Sequence, residues 1–254
     1  MRATDKRRLS PQRSLHDVKL YMFSGSDAVR TAELMLAYKR ISYERVALGR
    51  GDHIVELPAL GFSGITVPAL TIDGRRVQGT REISRALDDL TPEPRLFPAD
   101  PAQRVIVEDA ERRGEDVQNA ARRLYYCAIT RTQPSRFERL AAAHHGATDA
   151  AVRRDLASLA EHLEQIDGWI DAGVLGGDQL NAADFQIAPN VASLLRFDDI
   201  APFIEGRPAA RHARRVAGET AGRIGRVFPS EWLQPLTARR QDRALVGRSS
   251  DRDA

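Results

Sequence analysis

The stretch GITVPALTIDGRRVQGTREISRAL, residues 64–87, decides the fold. Its apolar start is broken by Pro68, and the residue before a proline is held extended, which fixes Val67. Asp73-Gly74 is the two-residue turn that joins antiparallel strands, here 68–72 and 75–78. Thr80 then stands at a helix start, and Ile83, Leu87 and Leu90 recur at helical spacing through 80–90. Extended backbone beside a helix N-terminus suits a small peptide. The first pairs with its backbone and the second holds a carboxylate.

Upstream, residues 18–24 (VKLYMFS) read as a short buried strand. Residues 27–40 switch to helical spacing, with Val29, Ala32, Met35 and Leu36 on one face and Ser26 or Asp27 as the cap. Residues 42–48 alternate as a strand, so 18–48 forms a βαβ unit with parallel strands. A short helix is read at 52–60. Thr91-Pro92-Glu93-Pro94 and Phe97-Pro98 then interrupt regular structure, which marks a linker. Everything downstream is helical in pattern: 101–131, 149–172, a helix from Asn181 through Leu194, and shorter ones at 199–205 and 208–219.

The 254 residues, 42% hydrophobic, can bury a substantial core. No apolar run approaches the ~20 residues of a membrane span. The polar N-terminus shows no apolar leader. The expectation is a soluble cytoplasmic protein. The single cysteine, Cys127, excludes an internal disulfide framework and a Cys-rich metal site. Net charge is +3, but residues 1–16 carry +4 and 237–254 carry +2, so the body between them is mildly acidic at −3. Basic ends on an acidic body read as solvated tails and argue against a folded nucleic-acid site.

A βαβ-ββα unit, a Pro-rich linker and an all-helical region together resemble the cytosolic glutathione S-transferases, over roughly 18–235, and within them the serine-type, bacterial-like members. Three motifs carry the resemblance. VPAL (67–70) looks like the family's cis-proline loop. GTREISRAL (79–87) is similar to its E/Q-S-x-x-I-x-x-x-L segment. LNAADFQIAPNVASLL (180–195) resembles the N-capping box and central helix of its helical domain. The resemblance implies an α/β thioredoxin-like domain at 17–90 that binds glutathione, a linker at 91–100 and an all-helical domain at 101–236. Disordered tails at 1–16 and 237–254 would flank them. It further implies a homodimer and a detoxifying transferase that reacts the glutathione thiolate with a small electrophile, without a metal. The alternative is a non-catalytic protein of the same fold, acting through ligand or protein-partner binding.

The site residues follow from the same resemblance. Val67, with Pro68 cis, would pair with the cysteinyl backbone of glutathione, and Thr66 and Gly79 flank that segment. The Thr80 hydroxyl and the first free N–H groups of its helix would hold the γ-glutamyl carboxylate. Ser26 falls where the serine classes keep the residue that stabilises the thiolate, with Ser24 as the neighbouring alternative. A serine there argues for conjugation or thiol-dependent elimination rather than a mixed disulfide. The tyrosine of other classes would fall near Met22, and Tyr21 points to the other side of its strand. Tyr125 and Tyr126, within Arg122-Arg123-Leu124-Tyr125-Tyr126, are candidates for the electrophile pocket or the core, as is Trp169. Cys127 reads as a buried small hydrophobe or a pocket wall rather than a nucleophile. Asn181 and Asp184 are structural caps. Adjacent His144 and His145 do not share a helix face and so do not read as metal ligands.

Three positions depart from the family pattern. Gly79 replaces an acidic or amide residue, and Thr66 stands where many members have a base. Asp27 follows the candidate serine in place of a proline. A carboxylate beside the sulfur opposes thiolate formation unless Arg30 or the helix end compensates.

Overall fold

The computed structural model describes residues 16–132 and 135–240. The expected tails therefore lie almost wholly outside the described residues. Residues 237–240, expected as tail, continue a helical run that begins at 234.

The first domain begins with β1 (Val18–Met22), α1 (Asp27–Tyr38), β2 (Glu44–Ala47) and the short α2 (His53–Ala59). It ends with β3 (Ala69–Ile72), β4 (Arg75–Gln78) and α3 (Thr80–Leu90). The sheet order is β2-β1-β3-β4, with β1 and β2 parallel and the other pairs antiparallel. This is the thioredoxin-like arrangement expected from the βαβ-ββα order. The hairpin turn lies at Asp73-Gly74, both with positive φ (49° and 82°), and Ile72 pairs with Arg75 across it. The Asp73 carboxylate accepts the Asp17 N–H at 2.9 Å, which ties the turn to the start of β1.

Lys39 anchors the linker. Its buried ammonium donates to Asp88 Oδ1 (2.6 Å), the Thr91 carbonyl (2.5 Å) and the Pro94 carbonyl (2.7 Å). A buried charge is stable only when paired and hydrogen-bonded, and this one satisfies three acceptors of a segment without regular structure.

The second domain holds α4 (Pro101–Thr132), α5 (Arg136–His144), α6 (Asp149–Asp171), α7 (Ala182–Leu194), α8 (Ala201–Ile204) and α9 (Pro208–Ala217). A 3₁₀ turn follows at Ser230–Leu233. Every residue of α7 is buried, so it forms the axis on which α4, α9 and α1 pack. Tyr38 meets Phe185 at 5.2 Å between ring centres, which joins the two domains. The cap expected at 181–184 is present. Asn181 Oδ1 accepts the Ala183 and Asp184 N–H groups, and Asp184 Oδ2 accepts the Asn181 N–H at 2.8 Å. Asp184 Oδ1 also accepts the Gly176 N–H at 2.7 Å, a second tie that the helix pattern does not announce.

α5 is not among the helices expected from the sequence spacing. Its start carries a capping box that was legible in principle. Ser135 accepts the Glu138 N–H and Glu138 returns to the Ser135 N–H. Cys127 is buried and does not line the cleft, so of its two readings the small hydrophobe holds.

Candidate functional site

Two walls enclose a cleft of about 850 Å³ between the domains. The α/β wall is built from loop and helix-start residues. After β1, Gly25 turns the chain with φ +88°, a conformation that glycine adopts without penalty, and delivers Ser26 to the start of α1. Ser26 Oγ accepts the Val29 N–H at 3.3 Å. That bond pins the oxygen and leaves its own O–H proton to donate into the cleft. Ser26 lines the cleft; Ser24 is exposed and does not.

Farther along the same wall lie Thr66, Val67, Pro68, Gly79 and Thr80. The Val67–Pro68 peptide is cis. Gln78 braces this loop, donating from Nε2 to the Thr66 carbonyl (2.7 Å) and accepting the Gly64 N–H (2.8 Å). Gly79, not Thr80, is the N-cap of α3, so Thr80 is its first helical residue. Gly79 has φ +98°, and a Cβ there would come within 2.3 Å of Glu82 Oε2. The absence of an acidic or amide side chain at this position thus has a local reason. The positive φ disfavours any side chain there, whereas the Glu82 tip that a Cβ would meet is the movable end of a flexible side chain.

The opposite wall comes from α4, α5 and the end of α7. Tyr125 and Tyr126 face the cleft, with ring centres 5.5 Å apart, and His145 stacks on Tyr126 at 5.4 Å. Burial and the neighbouring Arg122 push His145 down to about 4, so it is a neutral ring at pH 7. Arg122 and Arg123 part company. Arg122 lines the cleft, whereas Arg123 forms a two-pronged pair with Asp155 of α6 at 2.6 and 2.7 Å. Trp169 lies away from the cleft, half-buried against the core. Arg50 pairs with Glu138 at 3.2 Å across the cleft mouth, linking the loop after β2 to α5.

Asp27 also lines the cleft, and its surroundings correct the expectation about Arg30. Arg30 reaches the Ala217 carbonyl at 3.3 Å and ties α1 to the end of α9. The groups that offset Asp27 belong to the second domain: a hydrogen bond with Ser193, then the charges of Arg196 and Arg122. Burial outweighs them and pushes Asp27 up to about 6. A raised acid binds more protons folded than unfolded, so its favourable contribution is present below about pH 4 and lost as pH rises through 6. Asp27→Asn is therefore expected to raise the melting temperature at pH 7.5 by about 2–4 °C, equivalent to ~1 kcal/mol once solvent access is discounted. The gain should vanish at pH 4. A gain independent of pH would show that Asp27 is not the titrating group.

Sequence reasoning missed Arg50, His53, Phe137, Leu140, Ser193 and Arg196 as cleft residues. The first four lie in segments with weak patterns. Ser193 and Arg196 sit at the end of α7, where buried-helix patterning hides a polar tip. Among the described residues no group of three or more His, Cys, Asp or Glu is placed to hold a metal ion, and no helix is long and apolar enough to cross a membrane.

A thioredoxin-like domain joined to a helical domain, with a cleft between them, defines the glutathione S-transferase fold. Residues 20–95 match the family described as glutathione S-transferase, N-terminal domain. No curated protein matches the chain. Among solved structures, a glutathione S-transferase from Rhodospirillum rubrum is 22% identical, with a TM-score of 0.60, covering 86% of this chain and 99% of its own. FzlA from C. crescentus is 20% identical, with a TM-score of 0.59 over the same shares of each chain. A glutathione S-transferase from Methylobacterium radiotolerans, in complex with glutathione sulfonate, is 18% identical, with a TM-score of 0.60, covering 84% of this chain and 100% of its own.

Proposed function

We propose that the protein binds glutathione along the α/β wall of the cleft and reacts its thiolate with a small electrophile held against the helical wall. The observation that carries this reading is the convergence of Ser26, Val67 and Thr80, from three separate segments, on a single cleft. Glutathione sulfonate in the similarly folded Methylobacterium protein supports the ligand class.

In this reading Val67 pairs with the cysteinyl backbone. Thr80 and the N-terminus of α3 take the γ-glutamyl carboxylate, which complements the positive helix end. The Ser26 O–H, at the N-terminus of α1, donates to the sulfur and favours its ionised form. The thiol proton leaves to solvent. The sulfur then forms the new C–S bond, and the electrophile's leaving group departs with the bonding electron pair. The homodimer belongs to the same proposal, and Val105 and Ile106, exposed on α4, offer apolar surface for it.

A non-catalytic reading draws on Asp27, whose carboxylate form above about pH 6 disfavours a thiolate nearby. Calorimetric titration with glutathione, followed by a turnover assay with a chloronitrobenzene, separates the two. Binding with turnover supports the transferase, and binding without turnover supports the alternative. Thr80→Ala is expected to weaken glutathione at least about tenfold, the value of one charge-assisted hydrogen bond. Equal affinities would place the carboxylate elsewhere.

A further inference from the structure

Arg122 is the unusual cation of the cleft. It projects from the middle of α4 and is half-buried, and burial lowers its pKa. Enclosed arginines are normally paired with a carboxylate. Among the described residues Arg122 makes no ion pair, and it donates a hydrogen bond to a neutral amide, Asn119 Oδ1, at 3.2 Å.

The neighbouring acids are engaged elsewhere. Glu115 lies 3.8 Å from Arg81. The Asp52 carboxylate folds back on its own loop, close enough to Gly49 to block a Cβ there. Glu138 pairs with Arg50. Asp27 interacts with Arg122 only at a distance, and shares its charge with Ser193 and Arg196. A half-buried guanidinium therefore faces the cleft without a carboxylate partner.

The surface next to it is aromatic. Tyr126 and His145 are stacked with only 13° between their planes, and Tyr125 meets Tyr126 edge-on. Tyr126 is buried beneath His145, so the neutral His145 ring, with Tyr125 near by, supplies the flat ring surface, while Arg122 supplies the charge. A flat apolar wall with a single fixed fork of donors beside it matches a planar ring bearing a carboxylate.

We propose that this half of the cleft is a subsite for an aromatic anion of the arylcarboxylate type, with Arg122 as its counter-ion and the His145 ring, backed by Tyr126, as its ring platform. The proposal deepens the glutathione reading, from which it takes only the idea that the occupant is the thiol's acceptor.

The test is calorimetric titration of the full chain with 2-naphthoate and with uncharged 2-naphthamide, which have nearly the same shape. The wild-type protein is expected to bind the naphthoate at least about tenfold more tightly. Arg122→Met should bring that ratio to about one while leaving the naphthamide affinity unchanged, and Arg122→Lys should keep part of it. Equal binding of the two ligands by the wild-type protein overturns the proposal and needs no variant, so a poorly folded Arg122→Met does not shield it. A preference that survives in a folded Arg122→Met overturns it as well, because the carboxylate must then sit elsewhere, for example at the start of α3. Selective naphthoate binding by a protein that ignores glutathione supports the subsite and sinks the glutathione reading alone. Glutathione binding with no naphthoate preference does the reverse.

Discussion

Ser26→Ala is expected to lower the conjugation rate at neutral pH about 10²-fold while changing glutathione affinity only slightly. The hydroxyl oxygen is fixed by the Val29 N–H, so its proton is available to the sulfur. That hydrogen bond strengthens as charge develops on sulfur, and losing it removes ~1.5–3 kcal/mol from the ionised state but little from the bound peptide. The thiol's apparent pKa should rise, and the rate profile should move to higher pH accordingly. Rate against pH for wild type, Ser24→Ala and Ser26→Ala checks this. Ser24 is exposed outside the cleft lining, so its variant should behave as wild type. Activity lost in Ser24→Ala alone would displace the thiol site by two residues.

Asp184→Ala is expected to lower the melting temperature by about 5–10 °C. The fully buried carboxylate accepts the N–H groups of Asn181 and Gly176, and each orphaned donor costs ~1–3 kcal/mol. For a chain of this size, 1 kcal/mol corresponds to about 2–4 °C. Part of the loss is returned because the carboxylate is itself costly. Burial pushes its pKa up to about 6. His212 Nε2, 3.3 Å away, supplies no counter-charge, since burial holds it neutral with a pKa of about 4. A raised acid stabilises the fold most below about pH 4 and loses that contribution as pH rises through 6. The destabilisation should therefore be larger at pH 5 than at pH 8. Asp184→Asn keeps an acceptor without the charge and should cost less than Ala. Differential scanning calorimetry of both variants at the two pH values decides, and an unchanged melting temperature in Asp184→Ala would show that the cap does not support α7.

The sequence alone determined the elements whose causes are local. Asp73-Gly74 specified its hairpin because few residue pairs adopt two successive positive φ values. Asn181 and Asp184 announced the start of α7 because their bonds run to backbone two or three residues away. The apolar spacing of 27–40 and 149–172 was enough to place α1 and α6. The α/β wall of the cleft was legible through the family resemblance, whose motifs carry Ser26, Val67 and Thr80, all of which line the cleft. Tertiary structure decided the opposite wall. Nothing in Arg122-Arg123 says that the first faces the cleft and the second pairs with Asp155, because the choice depends on where α6 lies. Arg30 was the nearest cation to Asp27 in sequence, yet Ser193, Arg196 and Arg122 are its neighbours in space. A side chain's electrostatic surroundings are set by elements far apart in the chain, packed around a buried α7. Periodicity and capping carry no information about that packing, so the charge of the cleft became readable only in the folded protein.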